Sequence, residues 1–331
     1  MSDKSYPFLQ RVFIDDTQID MANIVSLSYI EHADLSGPTI ILSIRDEQSI
    51  IRDTIGLKKD SMIKLEMGDV SGASNELFED EFVVLTMPIE NDVITVEGFQ
   101  KDCHALKTPN GKPRFFTNMA PEKILAELLP SLNVVCEVSG AGTYHLNQGK
   151  TPSRLIRNMA RDFGAACFIS RGTVYLIPYS KFNAGEPLLK MGLNSPTSDS
   201  SINVKIERYT KLTDEAFLER LVQKNFASWI TDKGHVNSGN HKEKQTVLLA
   251  YPIIPEQLAN QTIHVQPRID IEVVGNAALK PCTTIDIEII KLGSGGEIDE
   301  SIDRLMGIQT ITHHTKGSMY NNRIVMGVTC E

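Results

Sequence analysis

The sequence predicts a β-rich α+β fold, in which two similar small antiparallel β-barrels flank an α/β insert. Short apolar runs between turn residues fill the first hundred residues and return after residue 246. Two helix-then-strand patterns lie between them, and a segment of the first half recurs in the second. Such spacing is typical of small barrels interrupted by an inserted unit. The predicted boundaries are 1–102 for the first barrel, 103–195 for the insert, and 196–331 for the second barrel with an inserted helix near 213–230.

Composition and charge limit the classes of function. The chain has 331 residues, 41% hydrophobic and 23% charged residues, and a net charge of −9. No apolar run approaches the roughly 20 residues that cross a bilayer, and the first ten residues lack the pattern of a secretory signal. We therefore expect a protein folded in the cytoplasm without stable membrane association. The acidic balance argues against broad binding to phosphate backbones.

Six apolar runs predict the strands of the first barrel. Ile63 to Met67 alternates apolar with charged residues, which is the mark of a half-buried strand. Turn residues separate the runs, for example Asp15 with Asp16 and Asn91 with Asp92. Six short strands at this spacing predict a small barrel or sandwich. The runs are RVFID, NIVSLSYI, TIILSIRD, SMIKLEMG, DEFVVLTM and DVITVEGF.

The first helix of the insert is predicted to begin at Pro121 and to end before Pro130. A proline at the first helical position loses no needed N–H group, whereas a later one ends the helix. A polar loop at 107–115 precedes this helix, and the run VVCEV is predicted to form a strand after it. The apolar stripe of this helix consists of Ile124, Leu125, Leu128 and Leu129.

A second helix repeats the plan at 151–164. Thr151 is a candidate cap, Pro152 fits the first helical position, and Gly164 fits a left-handed end. The runs AACFI and TVYLI then flank a short turn at 170–172. One face of this helix is predicted to carry Leu155, Ile156, Met159, Ala160 and Phe163.

The second barrel is predicted after a polar connector at 194–201. The run INVKIERYT reads as a strand, and a helix is expected over Thr213–Ile230, with Thr213 as its cap. A long polar loop is expected at 231–244, and β structure from Thr246 to Cys330.

An internal repeat links the two barrels. LKKDSMIKLEM at 57–67 aligns without a gap with LKPCTTIDIEI at 279–289. In both copies a polar loop and two more apolar runs follow in the same order. A match in order across three elements predicts duplicated barrels better than a single similar strand does.

These residues resemble the central hub proteins of contractile tails, which include the late-control D family of phage baseplates and the N-terminal part of type VI secretion spikes. The likeness covers nearly the whole chain and rests on pattern and order. Its most specific parts are the stretch at 150–178 and the strand through His313 with the polar hairpin after it. Unlike the type VI spikes, the sequence carries no needle repeats after the second barrel.

The resemblance implies a trimeric ring of six similar barrels under a sixfold tail tube and above a threefold spike. The partners implied are two further copies of the chain, the tail tube or a tube-initiator protein, and the central spike protein. The tape-measure protein and the baseplate wedge are further candidates, and DNA passes through the channel without specific binding. The implied location is the virion tail baseplate.

The search for chemistry predicts no catalytic, cofactor-binding or metal-binding residues. His235 with His241, and His313 with His314, invite a metal interpretation, but neighbouring residues on a strand point to opposite faces. Structural or solvated histidines are the favoured interpretation. The five cysteines show no CxxC spacing and predict reduced, mostly buried thiols. They are Cys103, Cys136, Cys167, Cys282 and Cys330.

Acidic residues leave one enzymatic alternative open, because paired carboxylates are the machinery of glycoside hydrolysis. A barrel face turned to solvent or to an interface explains them without catalysis. The sequence therefore predicts a structural hub, with a peptidoglycan hydrolase of the tail tip, or the hub of a non-viral contractile injection system, as alternatives. The acidic residues considered are Glu47, Glu66, Glu81, Glu97 and Glu288.

Overall fold

The structure is a computed structural model that describes residues 8–69, 77–193, 202–212, 225–230, 232–238, 245–249, 255–293 and 296–330. Its helices are α1 (Lys101–Lys107), α2 (Pro121–Leu128), α3 (Pro152–Asp162) and α4 (Pro255–Asn260). Its strands are β1 (Leu9–Ile14), β2 (Thr17–Ile19), β3 (Ile24–His32), β4 (Thr39–Arg45), β5 (Met62–Gly68), β6 (Leu77–Thr86), β7 (Ile89–Glu90), β8 (Val93–Gln100), β9 (Arg114–Met119), β10 (Asn133–Cys136), β11 (Gly142–Leu146), β12 (Ala165–Ser170), β13 (Thr173–Pro178), β14 (Lys190–Leu193), β15 (Val204–Lys211), β16 (Asn225–Ile230), β17 (Gly234–Ser238), β18 (Thr246–Leu249), β19 (His264–Val274), β20 (Thr284–Ile289), β21 (Leu305–Lys316) and β22 (Met319–Cys330).

The six apolar runs of the first barrel form six antiparallel neighbours, in the order β1-β5-β6-β8-β4-β3. Their inward side chains, such as Val12, Leu42 and Phe82, join in one apolar core. The predicted turns also hold, because Asp15, Asp16 and Asn91 take the left-handed backbone that such turns need. These runs were predictable because each alternates with period two between short turns.

The second barrel closes completely. Its order is β20-β14-β15-β19-β22, and β21 pairs with both β20 and β22 to complete the ring. All its ladders are antiparallel except those of β14, which is parallel to β15 and to β20. The predicted fold class is thus confirmed, with one strand of the second barrel lying parallel to its neighbours. The boundary at 195/196 stays a prediction, and β14 lies on its insert side.

A ladder between β3 and β21 joins the two barrels into one continuous sheet. It runs from Thr310 opposite His32 to Lys316 opposite Ser26. Among the described residues β1 and β3 do not pair, so the first barrel opens beside β3 and continues into the second. A closed barrel has no free edge, so within the described residues edge strands remain only in the first barrel and in the smaller sheets.

The backbone of the repeat is the same in both copies. Asp60 and Cys282 occupy equivalent positions, and both have a left-handed φ, of 68° and 61°. Asp60 N donates to Val84 O and Cys282 N donates to Ile308 O, at 3.0 and 2.9 Å. A bulge follows one residue after Val84 in the first copy and after Ile308 in the second. A bulge at the same place is a designed feature of a fold, so the repeat is structural.

The insert packs two small sheets against its helices. β10 lies parallel to β13, which is antiparallel to β12, and β9 pairs with β11. The helices α2 and α3 begin at the predicted prolines, and Gly164 has the left-handed φ of 56°. Thr151 occupies the predicted N-cap position, but its side chain makes no capping hydrogen bond. Helix α1 and strands β9 and β11 were not predicted.

The buried face of α3 agrees with its predicted stripe. Leu155, Ile156, Met159 and Ala160 are buried, whereas Phe163 is half-buried. These side chains share one core with residues of α2, β12 and β13. The apolar period of 3.6 residues was therefore sufficient to identify this face.

Two predictions within the range of the second barrel were wrong. The helix expected over 213–230 is contradicted at 225–230, which forms strand β16, while 213–224 lies outside the described residues. The polar loop expected at 231–244 contains strand β17. β16 pairs with β17 and β18, so partners from elsewhere in the sequence override a local helical pattern. The connector at 194–201 also lies outside the described residues.

Among the described residues, no helix is both long and apolar enough to span a membrane.

Candidate functional site

A buried ionic cluster lies where the first barrel, the insert and the second barrel meet. Glu31 comes from β3, Ser170 and Arg171 come from the turn between β12 and β13, and His313 comes from β21. Glu31 lies about 140 residues before the two insert residues in the sequence. Both parts of the sequence that carried the hub resemblance, the stretch at 150–178 and the strand through His313, contribute to this cluster.

Arg171 is the centre of the cluster. Its φ of 48° is left-handed, as the tight turn before Gly172 requires. The guanidinium donates to the carbonyl of Ala277 at 2.7 Å, to that of Leu279 at 2.8 Å, and to Glu31 Oε2 at 3.3 Å. Arg171 therefore ties the insert to both barrels with charge-assisted hydrogen bonds.

Glu31 is fully buried, yet it is held in its charged form. Burial alone would raise the pKa of its carboxyl, but the charge of Arg171, the polar contact with the His313 ring and the hydrogen bond from Ser170 outweigh burial and lower the pKa to about 2. Ser170 Oγ donates to Glu31 Oε1 at 2.5 Å. Each oxygen of the Glu31 carboxylate therefore has a partner, the guanidinium on one and the hydroxyl on the other, which offsets the cost of burying its charge.

His313, on strand β21 of the second barrel, is fully buried and neutral. Burial lowers its pKa. Asn322 Nδ2 donates to His313 Nδ1 at 2.9 Å, so the ring proton sits on Nε2, which lies 3.5 Å from Glu31 Oε2. The ring stacks on Phe8 at a centroid distance of 4.6 Å. The next residue, His314, is exposed on the other face, as the alternation of a strand predicts.

A second buried carboxyl, Asp80, lies beside the cluster. Burial raises its pKa to about 7 despite hydrogen bonds from Gln100 and from the backbone of Glu81. Tyr29 Oη donates to Asp80 Oδ2 at 3.4 Å, and Gln100 Nε2 donates to Asp80 Oδ1 at 3.3 Å. Asp80 therefore changes its protonation near neutral pH, whereas Glu31 does not.

Two carboxyls with pKa values moved in opposite directions are the pattern of an acid–base pair. Here they are closed off, because Glu31 is 0% and Asp80 is 6% exposed. A glycan substrate must reach both carboxyls at once. The geometry therefore suits a structural joint between three parts of the fold.

The acidic residues considered from the sequence lie in ion pairs and hydrogen bonds, and Glu288 is buried rather than turned to solvent. Glu66 pairs with Arg11, Glu81 with Lys101 at 2.7 Å, and Glu288 with Lys190 at 2.7 Å. Glu97 accepts a hydrogen bond from Thr86, and Glu47 lies 3.9 Å from Arg45. A barrel face with paired charges accounts for these contacts without a reaction.

The remaining candidates are scattered. His235 lies exposed on β17, and His241 lies outside the described residues. No group of three or more His, Cys, Asp or Glu side chains could hold a metal ion in the part of the chain that the structure describes. All five cysteines are free thiols, with Cys103 and Cys167 buried and the other three half-buried.

Sequence reasoning missed Glu31 and Arg171. The run SLSYIEH contained a usable signal, because Leu27, Tyr29 and Glu31 fall at alternate positions on the same face of β3. A carboxylate on an apolar face requires a buried positive partner. No local pattern indicated that the partner was the turn residue Arg171, which had been interpreted only as part of a hairpin.

The fold is shared with tail proteins. A tail protein from Neisseria meningitidis MC58 superposes with a TM-score of 0.64 at 10% identity, over 97% of each chain. The 43 kDa tail protein of prophage MuSo2 from Shewanella oneidensis gives 0.62 at 11% identity, over 96% of this chain and 97% of that chain. The c3393 protein of E. coli, a component of the type VI secretion system, gives 0.53 at 8% identity, over 97% and 77%.

Sequence comparisons find no such relatives. No protein-family model matches the chain, and no curated protein is significantly similar to it. Fold persists after sequence similarity has faded, because many sequences satisfy one pattern of burial. The chain therefore has the fold of phage tail proteins and of type VI spike-related proteins, as its resemblance to contractile-tail hubs implied.

Proposed function

We propose that the protein is a non-enzymatic structural hub of a contractile phage tail baseplate. The observation that carries the proposal is the duplication: two barrels with the same turn, hydrogen bonds and bulge in one chain. A hub between a sixfold tube and a threefold spike needs two similar units in each of three subunits. The shared fold with tail proteins over nearly the whole chain supports the same role.

In this proposal three chains form a ring of six similar barrels around a central channel. The first barrel of one chain meets the second barrel of the next, the contact is head-to-tail, and it closes after three subunits. The inserts lie toward the periphery or one end of the ring. One side of the ring meets the tail tube or a tube-initiator protein, and the other meets the central spike protein. Contacts with the tape-measure protein and the baseplate wedge belong to the same proposal.

The ring is tested by the mass of the purified protein in solution and by electron microscopy of the particle. We expect a trimer, alone or with the spike or tube partner, with barrels of the two kinds alternating around the axis. A twofold dimer, or a ring of six whole chains, would contradict the adaptor role.

The proposal includes passage of DNA without adhesion. The chain carries a net charge of −9, and many basic residues on the barrel strands are neutralised in place. Lys64 lies 2.6 Å from Glu79, and Arg323 lies 2.6 Å from Asp270. Lysine and arginine side chains that are already in ion pairs bind phosphate poorly, because each would first have to leave its carboxylate. A salt-sensitive gel shift of duplex DNA at micromolar protein would contradict this part.

Two other functions are alternatives to this proposal. A hub of a non-viral contractile injection system is supported by the likeness to the type VI component from E. coli, and the genes beside this one distinguish it from a phage hub. A peptidoglycan hydrolase is tested by incubating the protein with cell walls. Released muropeptides would overturn the non-enzymatic role, whereas intact walls agree with the sealed carboxyls of the junction.

A further inference from the structure

The arginines of the described chain divide into two groups. Every described arginine outside α3 has a carboxylate oxygen within 4.0 Å. Arg154, Arg157 and Arg161 have no such partner, and all three lie on α3. The protein has a net charge of −9, so three unpaired guanidinium groups on one helix make a local excess of positive charge.

The three arginines form a stripe. They are spaced at i, i+3 and i+7, so they follow one face of the helix, and all three are exposed. The acidic residue at the end of α3, Asp162, is buried and accepts hydrogen bonds from Tyr144 and Gln261 instead. The stripe is therefore not neutralised by its own helix.

Arg157 and Arg161 also line a cavity of about 430 Å³. Asp34 of the β3–β4 connection, Tyr179 and Gln261 line the same cavity. The first barrel, the insert and the segment after α4 all contribute to this cleft. Its volume lies within the range of about 300–1,000 Å³ that is usual for ligand sites.

The cleft contains unused hydrogen-bonding groups. Gln261 is 7% exposed, and its Nε2 donates to Asp162 Oδ1 and to the carbonyl of Gln257, both at 3.2 Å. Its Oε1 is buried without a hydrogen-bond partner in the part of the chain that is described. Burial raises the pKa of Tyr179 to about 12, so its hydroxyl remains a donor. A buried acceptor without a partner is costly, so a donor supplied by an occupant of the cleft would stabilise it.

We propose that this cleft binds an acidic peptide segment of a partner protein, with its carboxylates on Arg157 and Arg161 and its peptide N–H groups on Asp34 and Gln261. Guanidinium groups hold carboxylates through paired hydrogen bonds. A phosphate backbone fits less well, because it has no N–H donors and would face the carboxylate of Asp34. The proposal rests on the residues that line the cleft and does not depend on the hub role.

The test measures binding of a fluorescein-labelled hexaglutamate peptide to the full chain by fluorescence anisotropy at low salt. The parent should bind the peptide, and added salt should weaken the binding. The variant with Arg157→Glu and Arg161→Glu should bind about tenfold more weakly or worse, which corresponds to about 1.4 kcal/mol. Unchanged melting temperatures show that both proteins are folded.

The matched control is Lys58→Glu with Lys59→Glu, which makes the same change of charge at two exposed residues far from α3 in the sequence. The control should bind as the parent does. If both variants lost the same affinity for the peptide, binding would depend only on the overall charge of the protein, and the proposed site would be wrong. Tighter binding of a duplex DNA probe than of the peptide would make it a phosphate site. A change of oligomeric state in the arginine variant alone would place a second copy of this chain in the cleft. Either result would overturn the proposal.

Discussion

Replacing Arg171 by methionine tests whether the buried ionic cluster holds the three parts of the fold together. The change keeps much of the apolar stem and removes the guanidinium. Glu31 then stays fully buried without its positive partner, and the carbonyls of Ala277 and Leu279 lose their donor. We expect a large loss of stability, because an unpaired buried charge is among the costliest defects in a protein interior.

The magnitude follows from Glu31. Its pKa of about 2 lies roughly two pH units below the ordinary value, and each unit corresponds to about 1.4 kcal/mol, so its surroundings favour the charged form by about 3 kcal/mol. Breaking a buried ion pair on one side typically costs about 3–5 kcal/mol, which agrees. In a chain of this size that cost lowers the melting temperature by about 4–7 °C.

The assay is differential scanning calorimetry of the full chain at pH 7. The matched control is Arg323→Met, because Arg323 is also paired with a carboxylate, Asp270, but its side chain is 61% exposed. Exposed pairs contribute at most about 1 kcal/mol, so this variant should melt within about 2 °C of the parent. The double variant Glu31→Gln with Arg171→Met should recover part of the loss, since no unpaired charge remains. If Arg171→Met melts as the control does, the cluster does not join the three parts.

Three further predictions concern pH, packing and backbone conformation. Asp80 holds its proton to about pH 7 when folded but loses it near pH 4 when unfolded, so its contribution to stability falls as pH rises through that window. In Asp80→Asn this fall should disappear from melting curves between about pH 4 and 7, and an unchanged fall would count against the buried carboxyl. Leu155→Ala should cost roughly 2–5 kcal/mol in the insert core, whereas Leu292→Ala, at an exposed residue, should change the melting temperature little. If both leucine variants melt alike, that face of α3 is not core. Gly37→Ala should destabilise more than Gly56→Ala, because both have left-handed φ but only the first would place a Cβ 2.5 Å from a cysteine sulphur. Equal melting temperatures of the two glycine variants would refute the close approach.

The sequence by itself determined the local elements and the plan of the fold. The six runs of the first barrel, the helices at Pro121 and Pro152, and the repeat at 57–67 and 279–289 all follow from alternation, turn residues and order. These signals are local, because the period of burial and the backbone needs of a turn act on neighbouring residues. The duplication was readable for the same reason, since each copy repeats its own local pattern.

Only the tertiary structure decided how the parts are joined. The ladder between β3 and β21 connects strands nearly three hundred residues apart, and a period-two pattern does not specify which strand lies beside it. Residues 225–230 became a strand because β17 and β18 supply hydrogen-bond partners that a local helical pattern cannot represent. The alternation of β3 places Glu31 on an apolar face, but only the fold identifies Arg171 as its partner. The cost of burying its charge, and the charge that offsets that cost, depend on neighbours that are distant in sequence.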